Sequence, residues 1–430
     1  MSRIGVTAAE HAVACRELLR STTERVLARE PDRLAVLDPA LPGRVVAQAL
    51  VSGIPLPPFD NSQMDGYAVL AADIAKASPD SPVVLRVGVT TAAGDAPITH
   101  LPGTASPIMT GAAIPLCADA VVPVERALPP TFPALARAGE SAPDATVRFT
   151  SPAPAGQFIR PLGSDLGMGL EVLGAGERIT PTRVGVLAAS GIAEVPVRSR
   201  ARVLVCSTGD EIVSADSGDP LAPGQIRDAN APMLAAALRS AGAEVRVRRS
   251  GDRAEAFRHI LEQEYAWPDL VVTIGGISAG AYEVVRDTLE PLGAEFLGVA
   301  MQPGGPQGLG QITPHGEDGP RTLPALCFPG NPVSTLLSAE LFLLPTLREL
   351  AGLPGERPRE ERPPAHDPES PADKLQLRRG TIESDGRVSL SGPSSHLLSG
   401  LASADVIAEI PLGVGTAAEN TPLTVWRIND

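Results

Sequence analysis

The stretch V271-V-T-I-G-G-I-S-A-G-A-Y-E-V-V285 sets the frame for the whole chain. A run of β-branched residues stops at Gly275-Gly276, passes Ser278 and Gly280, and resumes in a helix-like pattern. Strand, glycine loop and helix is an arrangement that aims backbone N–H groups at an anion. It is equally how a tight turn is built, and the stretch alone leaves both readings open.

Outward from it, strands and helices alternate between about Ala201 and Leu353. ARVLVCS reads as a strand, Ala229 to Ser240 as a helix, AEVRVRR as a strand and Ala254 to Glu264 as a helix. DLVVTI, a helix from Tyr282 to Glu290, ALCF and a helix from Pro332 to about Leu350 follow. The pattern predicts a parallel, doubly wound α/β domain whose ligands sit beyond the strand C-termini. Gly304 to Pro320, rich in Gly and Pro, is expected as a surface loop inside that domain. Gly355 to Pro371 reads as a charged, proline-rich linker, and Asp373 to Asp430 as a terminal β-barrel or sheet.

Upstream, Thr7-Ala-Ala-Glu10 forms a capping box that opens a helix to roughly Arg29. Short apolar runs between Val83 and Phe149, separated by turn residues, indicate a small β unit, with Leu128 to Asp144 a mobile loop within it.

At 430 residues the chain is too long for one core. A net charge of −14 argues against nucleic acid as a partner. No run of about 18 apolar residues is present, so no membrane-spanning helix is expected. The N-terminus shows no secretory h-region, which makes the cytoplasm the expected location. The four cysteines, Cys15, Cys117, Cys206 and Cys327, stand singly in small or apolar surroundings and read as buried free thiols. Only Lys76 and Lys374 are lysines, so arginine carries nearly all positive charge.

Five short motifs carry candidate chemistry. Ser207-Thr-Gly-Asp-Glu-Ile212 follows a strand directly, and its Asp210 and Glu211 suit either a hard cation or a polar turn. The glycine loop follows a second strand, with Glu283 placed toward the same mouth. Phe328-Pro-Gly-Asn-Pro-Val-Ser334 follows a third, with Asn331 at an N-cap position and Pro332 at the first helical position. Phe59 to Val69 (FDNSQMDGYAV) and Ile108 to Ala112 (IMTGA) combine carboxylates, a hydroxyl and turn formers.

In this order, together with GSD, GQIRDAN and SSHLL, the motifs resemble the molybdopterin molybdenumtransferase family, the MoeA family that includes the gephyrin E-domain. The resemblance runs from about residue 7 to the C-terminus. It implies a four-part α/β multidomain chain: an N-terminal helical/β dimerisation arm (1–60 and 145–198) and an inserted β subdomain (61–144). The other two parts are a doubly wound molybdopterin-binding α/β domain (199–354) and a C-terminal β-barrel (355–430). It further implies a homodimer that inserts molybdate into adenylylated molybdopterin with release of AMP, assisted by Mg²⁺. The alternative is a catalytically weakened, gephyrin-like scaffold that binds a protein partner in a groove between the α/β and C-terminal units.

By that resemblance, Asp65, Thr110, Asp165, Glu211, Asp252 and Glu283 are the catalytic residues, with Glu211 and Asp252 holding the metal. Arg160, Ser207, Thr208, Gly209, Asp210, Gly275, Gly276, Ser278, Gly280, Arg286, Pro329, Asn331, Pro332 and Ser395 hold the pterin substrate. The chain also departs from the family pattern. Glu283 stands where Asp is common, and Arg286 where Lys is usual. Ile274 stands where Ser is common, and Gly305 takes the place of the lysine in PGKP.

Overall fold

A computed structural model describes residues 6–137, 140, 144–218, 220–278, 283–316, 319–418 and 421–429. Helix α1 (Ala8–Ala28) starts at the capping box: the Thr7 hydroxyl accepts from Glu10 N–H at 3.2 Å, and Glu10 accepts from Thr7 N–H at 2.8 Å. Its Ala8, Cys15, Leu19 and Val26 pack into the core of the α/β unit rather than against the arm. The Thr22 hydroxyl and the Arg29 guanidinium both fasten the helix to Asp269, the latter at 2.6 Å.

The arm is made of two-stranded pairs. Asp32–Ala35 pairs with Glu194–Val197, Leu50–Val51 with Glu171–Leu173, and Asn61–Ser62 with Ile159–Arg160. They surround a small core of Leu41, Val46, Ile179, Leu187 and Val197. The inserted unit is a six-stranded sheet packed around Tyr67 and Phe149. Within its Leu128 to Asp144 segment, Phe132 packs against Tyr67 with ring centroids 5.4 Å apart and Ala136 is buried.

The α/β unit contains β1 (Arg202–Thr208), α2 (Asn230–Ser240), β2 (Glu244–Ser250), α3 (Ala254–Glu264), β3 (Leu270–Ile274) and α4 (Val284–Leu289). It continues with β4 (Ala294–Gln302), β5 (Pro306–Ile312), β6 (Leu323–Phe328), α5 (Pro332–Phe342) and α6 (Leu344–Leu350). The strands lie side by side as β2-β1-β3-β6-β5-β4, with α1, α2, α5 and α6 on one face and α3 and α4 on the other. Two helical layers explain why β1, β3 and β6 read as nearly unbroken apolar runs.

Several expectations change. The sheet is mixed, because β4 and β5 form an antiparallel hairpin, and the expected Gly304–Pro320 surface loop is largely β5 and a short second hairpin. Its glycines are needed for close strand approach: a Cβ on Gly310 would lie 2.5 Å from Gly293 O, and one on Gly308 2.7 Å from the Phe296 ring. The single helix expected from Pro332 breaks at Leu343 (φ −130°), where Pro345 has no N–H to continue the ladder. The helix expected from Tyr282 begins at Val284, Tyr282 itself lying outside the described residues. Cys117 is exposed at a turn with φ 74°, whereas Cys15, Cys206 and Cys327 are buried.

The supposed linker Gly355–Pro371 packs as well. It supplies β7 (Arg359–Arg362), an edge strand paired with β10 (Leu423–Arg427). Its charges, which suggest solvation in the sequence, have partners: Arg357 binds Glu340 at 2.9 Å and Thr424 binds Glu361 at 2.8 Å. With β8 (Leu375–Ile382) and β9 (Val406–Ile410), these strands form the C-terminal sheet. Val388 closes it toward a barrel, donating to Pro363 O and accepting from Ala365 N–H, each at 2.9 Å. Strand β8 also pairs with β4, so the α/β and C-terminal sheets run into one another.

Candidate active site

The parallel strands β2, β1, β3 and β6 are neighbours, so their C-terminal ends open on one edge of the sheet. The loops leaving them line a cleft of about 890 Å³. Strand β1 delivers Ser207, Thr208, Gly209 and Glu211, β2 delivers Asp252, β3 delivers Gly275, Gly276 and Ser278, and β6 delivers Pro329, Asn331 and Pro332. Ser395 reaches the cleft from the C-terminal unit, where its carbonyl accepts from Val333 N–H at 3.1 Å.

Gly275 (φ 84°) and Gly276 (φ 63°) take left-handed conformations that let the chain reverse directly after β3. The β6 loop passes so close that a Cβ on Gly330 would lie 3.3 Å from Gly275 Cα. The Gly275 N–H donates to Phe328 O at 3.0 Å, and the Ser278 N–H to the Glu283 carboxylate at 2.8 Å. Gly280 falls outside the described residues.

Asp210 and Asp252 lock the β1 and β2 loops by exchanging hydrogen bonds: each backbone N–H donates to the other's carboxylate, at 3.2 and 3.1 Å. Glu211, next in the chain, faces the cleft. Among the described residues no cluster of three or more His, Cys, Asp or Glu forms a closed metal site. Two carboxylates with further positions open is instead the donor set Mg²⁺ takes when substrate phosphates and water complete its shell. Asn331 leads α5 without a side-chain cap, the Thr335 hydroxyl instead donating to Pro329 O at 2.6 Å. Arg286 is not among the lining residues; it braces the loop from behind, donating to Ser278 O at 3.3 Å with its guanidinium over Phe296.

Cys206 and Cys327 lie within β1 and β6, where burial pushes both thiols up to about 12, so neither serves as a thiolate. The sequence reading did not single out Arg227, Asp228, Asn230, Gln302 or His396, all of which line the cleft. GQIRDAN and SSHLL were the signals for four of them; Gln302 directly precedes Pro303-Gly304-Gly305-Pro306, where only Gly305 was singled out. The carboxylates Glu211, Asp228, Asp252 and Glu283 line the cleft against the Arg227 guanidinium, with His396 beside them.

Asp65, Thr110, Arg160 and Asp165 do not line this cleft. They gather where the arm meets the inserted unit: Asp65 accepts from Thr110, Arg160 donates to Asn61 Oδ1 at 3.2 Å, and Asp165 N–H donates to Leu56 O at 2.9 Å. A separate groove of about 390 Å³, lined by α1, α5 and Trp426, lies between the α/β and C-terminal units. Among the described residues no helix is long and apolar enough to cross a membrane.

Residues 9–191 match the MoeA N-terminal region (domains I and II), and residues 204–349 a probable molybdopterin binding domain. The chain is 42% identical over 398 residues to molybdopterin molybdenumtransferase 2 of Mycobacterium tuberculosis, covering 90% of this chain and 93% of that protein. It is 38% identical over 310 residues to the molybdopterin molybdenumtransferase of Synechococcus elongatus, covering 71% and 72%. The crystal structure of the molybdopterin biosynthesis MoeA protein from Pyrococcus horikosii superposes with a TM-score of 0.73 at 29% identity, covering 95% of this chain and 98% of that one.

Proposed function

From the chain's membership of the MoeA family of molybdopterin molybdenumtransferases, which makes it an enzyme of molybdenum cofactor biosynthesis, we propose that the 890 Å³ cleft is where molybdate meets adenylylated molybdopterin. The observation that carries this is the meeting of two glycine loops, a helix N-terminus and two carboxylates at four adjacent strand ends. The transferase names of the relatives do not favour the scaffold alternative.

In this reading the N–H groups of Gly276 and Ile277 hold the pterin phosphate, since those of Gly275 and Ser278 are committed to Phe328 and Glu283. The N-terminus of α5, with Asn331 and Pro332, adds a partial positive charge on the same side. Every substrate is an anion, yet the cleft lining is predominantly acidic. Glu211 and Asp252 therefore act by holding Mg²⁺, which when bound neutralises phosphate charge and favours phosphoanhydride cleavage. The Asp210–Asp252 exchange ties the loop that carries Glu211 to the loop that carries Asp252.

We place the chain in the cytoplasm as a homodimer, with Asp65, Thr110, Arg160 and Asp165 contributed to each cleft by a second copy. Exposed apolar side chains on the arm, among them Met168, Leu170 and Leu162, favour association through that region. Mixing Glu211→Ala and Asp65→Ala proteins would then regenerate activity in mixed dimers, and a monomer in sedimentation would remove this part.

The deciding experiment follows AMP release and cofactor formation together, with adenylylated molybdopterin, molybdate and Mg²⁺. Glu211→Ala is expected to abolish both while leaving the unfolding transition unchanged, and EDTA to stop the parent enzyme. Parent-level AMP release from Glu211→Ala would overturn the assignment.

A further inference from the structure

Where β4 and β8 meet, Gln302 is the register partner of Gln376. Gln302 lines the cleft, Gln376 is 1% exposed, and Arg378 is buried two residues along the same face of β8. Arg378 Nη1 donates to Gln376 Oε1 at 3.2 Å, and Gln376 Nε2 donates to Gln302 Oε1 at 2.8 Å.

A guanidinium has donors and no acceptor, so this order settles how both amides lie. Gln376 must turn its oxygen to Arg378 and therefore its NH₂ to Gln302. Gln302 must then turn its oxygen to Gln376, which leaves its own NH₂ for the cleft. Among the described residues no group takes up that NH₂. Arg378 is held independently, its Nε donating to Ser391 O at 2.6 Å and its Nη1 to Glu369 O at 3.4 Å.

We infer that Arg378, Gln376 and Gln302 form a buried relay that presents the Gln302 amide NH₂ to an anionic oxygen of the substrate. Gln302 is the residue that touches substrate; Gln376 and Arg378 are positioning residues contributed by the C-terminal unit. The inference rests on the cleft being the pterin site and adds a neutral donor to it. In a cleft that depends on Glu211 and Asp252 for a cation, an uncharged NH₂ binds an oxyanion without drawing those carboxylates into an ion pair. The relay also gives the C-terminal unit a direct part in substrate recognition, across a seam only two residue pairs long.

The test measures molybdopterin affinity in the full-length protein for the parent, Gln302→Leu, Gln376→Glu and the double variant, with thermal unfolding alongside. Gln302→Leu removes the donor and is expected to weaken binding about fivefold. Gln376→Glu is isosteric but can only accept. It draws the Gln302 NH₂ toward itself, turns the Gln302 oxygen into the cleft, and is expected to weaken binding about tenfold or more. In the double variant no amide remains to be turned, so its affinity should match that of Gln302→Leu, whereas a merely structural defect would add to it. Parent-like binding by Gln376→Glu, or additive losses, would overturn the relay. Should Gln376→Glu not fold, parent-like binding by Gln302→Leu would overturn it alone. A parent protein that binds no molybdopterin would sink the cleft assignment, and the relay with it.

Discussion

Asp65 and Thr110, 45 residues apart, are joined by two hydrogen bonds to one carboxylate oxygen: 2.6 Å from the Thr110 backbone N–H and 2.8 Å from its hydroxyl. Both donors stabilise the charged carboxylate, the backbone N–H most, and hold the Asp65 pKa below the usual aspartate range. A depressed folded-state pKa contributes stability above the unfolded-state value, and that contribution is lost as pH falls through the folded value. Thr110→Val removes the hydroxyl but keeps the backbone donor. The Asp65 titration followed by carboxyl NMR should therefore move up in pH, with molybdenum insertion reduced. An unmoved titration would show the hydroxyl to be idle.

The loop after β3 depends on its second glycine. At φ 63°, a Cβ on Gly276 would be strained and would meet Val285 N and Cγ2 at 3.1 Å. Gly276→Ala is expected to cost about 1–2 kcal/mol in denaturant unfolding and to weaken pterin binding. Retention of both parent values would mean that the loop tolerates a side chain there.

Glu340 on α5, its side chain 4% exposed, holds Arg348 at 2.7 Å and Arg357 at 2.9 Å. This carboxylate ties the 355–371 segment to the α/β unit. Glu340→Gln keeps the shape but takes the negative charge from two guanidiniums, and should destabilise the chain by about 3 kcal/mol in urea. A loss below about 1 kcal/mol would indicate that water already shares the pair.

Gly305 sits in the β4–β5 turn, whose Pro303, Gly304 and Pro306 line the cleft. Unlike Gly304 (φ 96°), it has no left-handed φ, and a Cβ there would make ordinary contacts at 3.4 and 3.5 Å with Val299 O and Met301 O. A lysine can therefore be accommodated. A cation beside a reacting anion is worth on the order of a hundredfold in rate, so Gly305→Lys should fold normally and raise AMP release at saturating substrate. An unchanged rate would mean that other groups already supply that charge.

Whatever local chemistry controls was legible in residue order alone. The Thr7–Glu10 capping box specified the start of α1, and the apolar runs at Val203, Val271 and Ala325 specified strands buried on both faces. The glycines after Ile274 marked the end of the strand, and their left-handed φ values belong to the folded loop. Motif order carried the family assignment, and with it the placement of Glu211, Asp252 and Asn331 at strand ends. Each of these signals lies within one element or one turn, where spacing translates directly into geometry.

Features that depend on partners distant in the chain emerge from the folded molecule alone. Gly304–Pro320 and Gly355–Pro371 look like loop and linker because Gly, Pro and charge usually mark solvent. Here the glycines make room for Phe296 and Gly293, and the charges meet Glu340 and Thr424. Helix α1 lies against the α/β core because Asp269 and the sheet face receive it, which no periodicity encodes. Gln302 adjoins Pro303-Gly304-Gly305-Pro306, but that motif says nothing of how its amide lies. Its orientation is imposed by Gln376 and Arg378, 74 and 76 residues further along the chain, because an arginine that can only donate leaves each amide one way to lie.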